Sequence, residues 1–180
     1  MQDFEFKIGA DTTIEDERNW KHAITASILP VKGECKLGGY KANEILMQNK
    51  IGKCTAICIT QQAQKKYGKK YSSDFQYLLQ KKFYDTAWYE GSSGQAALWV
   101  ANKYGFLPYE LMPDLNDSDT TIDYATYTAK LQAYTDEQIN ELIAKCENKI
   151  GGYAQVNVND KNALAQAILD SDTGLYTTVT

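Results

Sequence analysis

The chain has 180 residues, 43% of them hydrophobic and 23% charged, which suits one domain with a core and falls short of two. A net charge of −4 leaves no nucleic-acid footprint, and thirteen tyrosines against three prolines argue against disorder. No apolar run reaches membrane-spanning length, and the opening Met1-Gln-Asp-Phe-Glu-Phe-Lys7 lacks the basic and apolar regions of a signal peptide. The expectation is a soluble, cytoplasmic product with neither nucleic acid nor membrane as partner.

In chain order, residues 1–50 read as an irregular leading segment, with candidate strands at Phe4–Ile8 and Ile24–Leu29. A helix is predicted from Cys54 to Tyr67, with Gly68 as its left-handed cap and Ala56, Ile59, Thr60, Ala63 and Tyr67 on one face. A second begins after Ser72 or Ser73 and carries Phe75, Leu78 and Leu79. A third opens at Ser92-Ser93, turns Ala97, Val100, Ala101 and Tyr104 inward, and stops at Gly105.

Pro108 and Pro113 then break the chain into a loop. A fourth helix starts at a capping box, Thr135 with Gln138, and carries the stripe Ile139, Leu142, Ile143 and Cys146, which makes Cys146 a core residue. After Gly151-Gly152, Tyr153–Val158 alternates like a strand, Asn162–Leu169 reads as a short helix, and Leu175–Thr180 is β-branched. The lysine pairs at 65–66, 69–70 and 81–82 read as solvated surface. There are no repeats and no low-complexity segments.

Metal and cofactor chemistry finds little support. Cys35, Cys54, Cys58 and Cys146 lack paired C-x-x-C spacing, and His22 is the sole histidine. The stretch Asp114–Asp119 is superficially like a calcium loop, but it has Asp119 where the turn glycine belongs and Ala125 at the twelfth position. It reads as a loop, and no metal or cofactor is expected.

The informative stretch is Gln48-Asn-Lys-Ile-Gly-Lys-Cys54-Thr-Ala-Ile57. A cysteine at a helix N-terminus feels the positive end of the macrodipole, which favours thiolate. Gly52 allows a tight turn into the helix, and the amide of Gln48 can fold back to pair with the Cys54 N–H around a developing oxyanion. Cys58, one turn on, reads as a packed helix residue.

This segment resembles the nucleophile region of papain-like cysteine peptidases of the bacterial and phage-borne type, with their Gln-Gly-x-Leu-Gly-x-Cys-Thr-Ala pattern. On that resemblance Gln48 falls on the oxyanion glutamine, Gly52 on the turn glycine and Cys54 on the nucleophile. Asp16–Trp20 is similar to a segment ahead of that family's core, and Leu29-Pro30 resembles the start of its mature domain. Glu90-Gly91-Ser-Ser-Gly-Gln-Ala-Ala97, with Lys103-Tyr-Gly105 and Pro108-Tyr-Glu110, resembles its cleft glycine and following helix, which makes Gly91 the substrate-binding position.

The departures are specific. Ile51 stands where many relatives have a disulfide cysteine, Asn49 replaces a glycine, and no histidine follows Cys54, although the family keeps its catalytic histidine and asparagine downstream. His22, in Lys21-His-Ala-Ile-Thr-Ala26, is either a permuted base or part of the leading segment.

The resemblance implies an α+β, papain-like single domain over residues 1–180: a leading segment 1–50, a helical lobe 51–150 and the start of an antiparallel sheet lobe at 151–180. It implies a thiol peptidase acting on a peptide or protein through Cys54, inactive as this chain alone unless a base is supplied. The alternative is a non-catalytic papain-like structural or binding protein, such as a virion-associated component of a phage or mobile element. In either case the edge left by the strands Tyr153–Val158 and Leu175–Thr180 is expected to be covered by Phe4–Ile8, by Ile24–Leu29, by a second copy or by a partner chain.

Overall fold

The computed structural model describes residues 10–11, 20–21, 45–156 and 159–170. The expectations placed on Phe4–Ile8, His22, Ile24–Leu29, Cys35 and Leu175–Thr180 lie outside those residues.

Helix α1 runs Cys54–Tyr67 and buries Ala56, Ile59, Thr60 and Ala63, the stripe that 3.6-residue periodicity marks out. Gly68 closes it at φ 65°, its N–H reaching the Gln64 carbonyl at 2.9 Å. Helix α2, Ser73–Leu79, is capped by the Ser72 hydroxyl, which accepts from the Phe75 N–H at 3.1 Å. Every residue of α2 is buried, so it is the central rod of the fold. Helix α3, Gly94–Lys103, repeats the device, with Ser93 accepting from the Ala96 N–H at 3.0 Å. The three helices pack on one another. Their core holds Ile51, Phe75, Leu78, Val100, Leu107, Tyr127 and Leu131, with a second cluster of Ile59, Ala63, Tyr71, Ala97, Ala101 and Phe106. Ile51, at the position where the resembled family has a disulfide cysteine, is fully buried and fills that place with apolar contact.

Local signals missed four features. Beyond α2 the chain continues as a π-helical turn, Gln80–Asp85, ending at Thr86 with φ 54°. The stretch read as a loop contains a 3-10 turn at Tyr109–Leu111, a one-turn helix α4 at Leu115–Ser118, and a full helix α5 at Tyr124–Gln132 with Asp123 as its cap. Pro108 and Pro113 delay helix formation only as far as α4. Helix α6, Asp136–Ile143, has the expected capping box with both halves formed. Cys146 lies just past its end and packs against the core. Since Thr135 is exposed and donates no packing, Thr135→Ala is expected to cost about 1 kcal/mol, read as a lower denaturant midpoint with an unchanged slope.

Strand is scarce. β1 (Ala10–Asp11) pairs in parallel with β3 (Ser92–Ser93), and β2 (Trp20–Lys21) pairs in parallel with β4 (Ala154–Gln155). The expected α+β balance is therefore met only in part: the described residues are mostly helical, and within the strand expected at Tyr153–Val158 the pair Ala154–Gln155 forms a ladder that is parallel, where an antiparallel sheet was expected. The strand beside Ala154–Gln155 is Trp20–Lys21. Helix α7, Lys161–Asp170, contains the short helix anticipated at Asn162–Leu169.

Candidate functional site

Cys54 is the first residue of α1 and is half-buried. The chain reaches it through two tight steps. The Ile51 N–H meets the Gln48 carbonyl at 3.3 Å, with Asn49 at φ 52°, and the Lys53 N–H meets the Ile51 carbonyl at 2.8 Å. Gln48, half-buried, therefore opens the turn that delivers Cys54.

The position before Cys54 is unusual. Lys53 occupies the N-cap of α1, where a side-chain acceptor is common, and an ammonium cannot accept. Its side chain instead runs inward and is fully buried. Lys53 Nζ donates to Asp74 Oδ1 and to Asn116 Oδ1, the latter at 2.6 Å, and lies 3.6 Å from Asp114 Oδ2.

Further donors surround the two carboxylates. Asp74 accepts from the Tyr127 hydroxyl at 2.7 Å and the Leu115 N–H at 2.7 Å. Asp114 accepts from the Ser72 hydroxyl at 3.2 Å, the Ser73 hydroxyl and the Asp74 N–H at 3.0 Å. Burial pushes the Asp74 carboxyl above the usual carboxylate range against the pull of Lys53, and burial beside Asp74 pushes the Tyr127 hydroxyl upward. Asn116 Nδ2 donates to the carbonyls of Met47 at 2.7 Å and Gln48 at 3.2 Å, and the Asn116 carbonyl accepts from Asn49 Nδ2 at 3.1 Å.

Gly91 comes against the same turn from the other side. A Cβ built on Gly52 would stand 2.7 Å from Glu90 Cγ and 3.3 Å from the Gly91 nitrogen, so only glycine permits this approach. The Gly52 N–H donates to Glu90 Oε1 at 3.2 Å. Gly91 is buried at φ 91°, and its carbonyl accepts from the Tyr77 hydroxyl at 3.4 Å. Tyr124 donates to the carbonyls of Tyr89 at 2.6 Å and Trp88 at 3.2 Å, and its oxygen lies 3.1 Å from that of Tyr77.

Lys81 corrects a second expectation. It is fully buried, not solvated; its Nζ donates to Asp85 at 2.9 Å and sits 3.8 Å from the Tyr89 ring centroid. The π-helical turn brings Asp85 into reach, and that counter-charge makes burial tolerable. Burial pulls the Lys81 ammonium below the ordinary lysine range, with Asp85 opposing.

The remaining described thiols are subdued. Burial, and secondarily the neighbouring Cys54, pushes Cys58 up to about 11. Burial pushes Cys146 up to about 12, and its Sγ donates to the Leu142 carbonyl at 3.6 Å.

Of the residues singled out by sequence, the structure thus brings Gly91 against the turn joining Gln48 to Cys54. Lys53, Asp74, Asn116 and Tyr127 carried no expectation, Asp114 was expected in a plain loop, and Glu90 entered only as the residue before Gly91. One signal was readable: a lysine at an N-cap has no local reason to be there. Among the described residues no group of three or more His, Cys, Asp or Glu could hold a metal ion, and no helix is long and apolar enough to cross a membrane. No family model matches the chain, and neither the curated proteins nor the solved structures contain a match to it.

Proposed function

We propose that this chain is a papain-like cysteine peptidase that attacks peptide carbonyls through Cys54, with α1 to α3 as the helical lobe of that architecture. The observation that supports the reading is the close approach of Gly52 to Glu90 and Gly91. Two segments 38 residues apart, one singled out by its residues and by the resemblance and the other by the resemblance alone, meet beside the residue proposed as nucleophile.

In the proposed reaction the base takes the Cys54 thiol proton, the sulfur adds to the carbonyl carbon, and the π electrons move to oxygen beside the Cys54 N–H and the Gln48 amide. Collapse expels the amine, which takes a proton from the base. Water then cleaves the thioester, releasing the acid and returning a proton to sulfur. His22 is the only imidazole of the 180 residues, and the base is His22, a histidine of a second chain, or one from a further part of the gene product. The substrate is an extended peptide or unfolded protein laid beside Gly91.

One observation favours a second reading, in which the site binds peptides without cleaving them. The Gly52 N–H, two residues before Cys54, is already taken by the Glu90 carboxylate at 3.2 Å and is not offered to a developing oxyanion.

Iodoacetamide labelling in a Cys35→Ser background separates the two. The peptidase reading expects Cys54 to be modified first and well below the pH at which a model thiol of pKa about 8.5 reacts. Cys58 and Cys146 stay unmodified until the pH nears their raised values of about 11 and about 12. Hydrolysis of an unfolded protein substrate should fall at least about 100-fold in Cys54→Ala, and loss in His22→Ala identifies the base. A Cys54 profile matching a model thiol, with no hydrolysis, sinks the enzyme and leaves the binding reading.

A further inference from the structure

We infer that Asn116 is a positioning residue for Gln48, clasping the turn so that the glutamine amide and the Cys54 N–H face one oxyanion. This rests on the peptidase reading above and extends it to a residue 62 positions beyond the proposed nucleophile.

The geometry is specific to that turn. One carboxamide uses both of its ends: Oδ1 accepts from Lys53 Nζ at 2.6 Å, while Nδ2 donates to the Met47 and Gln48 carbonyls at 2.7 and 3.2 Å. The backbone carbonyl of the same residue takes Asn49 Nδ2 at 3.1 Å. Asn116 therefore holds the residues on both sides of Gln48 and also the residue immediately before Cys54. Asn116 is fully buried, and its surroundings explain its rigidity. Lys53 is anchored on Asp74, and the Leu115 N–H is anchored on the other oxygen of Asp74.

The remaining backbone bonds of the turn are weaker constraints. The Ile51 N–H to Gln48 carbonyl contact is long, at 3.3 Å, and Asn49 is exposed at positive φ. A Gln48–Ile51 turn left to itself would sample several conformations. The Gln48 and Asn49 contacts with Asn116 select one of them. An oxyanion site gains from such preorganisation, because its donors must not reorganise as charge develops.

A peptide aldehyde tests this. The Cys54 sulfur adds to the aldehyde carbon, the C–S bond forms as the C=O π bond opens, and the thiol proton ends on the former carbonyl oxygen. The adduct's oxygen occupies the proposed oxyanion position, whereas iodoacetamide alkylation uses no such site. Two variants are compared with wild type for aldehyde affinity and for iodoacetamide rate at Cys54. Asn116→Asp keeps an acceptor for Lys53 and loses both donors to the turn. Asn49→Gly removes only the outer bond and tolerates positive φ, so it folds even if Asn116→Asp does not.

The expected result is an affinity loss of about tenfold or more for Asn116→Asp and about threefold for Asn49→Gly, with the iodoacetamide rate unchanged in both. If aldehyde affinity and iodoacetamide rate fall together, or if folded Asn49→Gly binds the aldehyde like wild type, the clasp has no positioning role. A wild-type chain that captures no aldehyde overturns the peptidase reading, and this inference falls with it; no variant differs from wild type in that case, which tells the two failures apart.

Discussion

Replacing Lys53 with methionine is expected to remove about 3–5 kcal/mol of stability at neutral pH. The methionine keeps the length of the buried stem but deletes the ammonium. Asp74 and Asp114, both buried, are left facing each other with only hydroxyl and amide donors. Each carboxylate then costs its desolvation without a counter-charge.

The pH dependence follows from sign. Burial already pushes Asp74 up with Lys53 present, and without Lys53 the shift grows. A carboxyl whose folded pKa lies above its unfolded value contributes stability below the unfolded pKa and loses it as pH rises through the folded pKa. The gap between Lys53→Met and wild type should therefore be small in acid and widen toward neutrality. Urea titrations from pH 4 to 8 measure it. Adding Asp74→Asn to Lys53→Met should recover part of the loss, because one uncompensated carboxylate disappears. A constant gap across pH would show that the ammonium acts by packing alone.

Gly105→Ala is expected to cost about 2–4 kcal/mol, from left-handed strain plus overpacking. Gly105 sits at φ 84°, and a Cβ there would stand 2.5 Å from the Glu147 carbonyl oxygen and 3.2 Å from its carbon. Both atoms are backbone and cannot swing aside. They are fixed by the reciprocal bonds of Phe106 and Glu147, at 2.8 and 3.0 Å. The Gly105 carbonyl also accepts from Gln76 Nε2 at 2.5 Å, which ties the junction to the buried α2.

Gly68→Ala is the matched control. Its φ is 65°, but a Cβ there meets nothing within 4 Å, so the cost should be strain alone, about 1 kcal/mol. Equal midpoints for the two variants in a denaturant series would remove the clash with Glu147 from the account.

Much of the helical framework was legible from residues alone. The start of α1 at Cys54, its stop at Gly68, the serine caps ahead of α2 and α3 and the capping box of α6 all appear where the sequence puts them. These features are decided within one helical turn, by caps, by glycine's access to positive φ and by apolar spacing. The candidate site was legible only in part: Cys54 at a helix start and Gly52 in a tight turn are local facts.

What the sequence alone misjudged is equally consistent. Lys81 and the acidic stretch around Asp114 were read as surface and loop, and Lys53 drew no attention, yet Lys53, Lys81 and Asp114 are all buried. Whether a charged side chain can leave water depends on a counter-charge, and here the partner of Lys53 lies 21 residues away at Asp74, and its amide acceptor 63 away at Asn116. The same holds for Gly91, which meets Gly52 only because α2 and its π-helical turn carry the chain back across α1. Tertiary structure decided these pairings because desolvation is compensated by whatever the fold brings near, and sequence distance does not encode that.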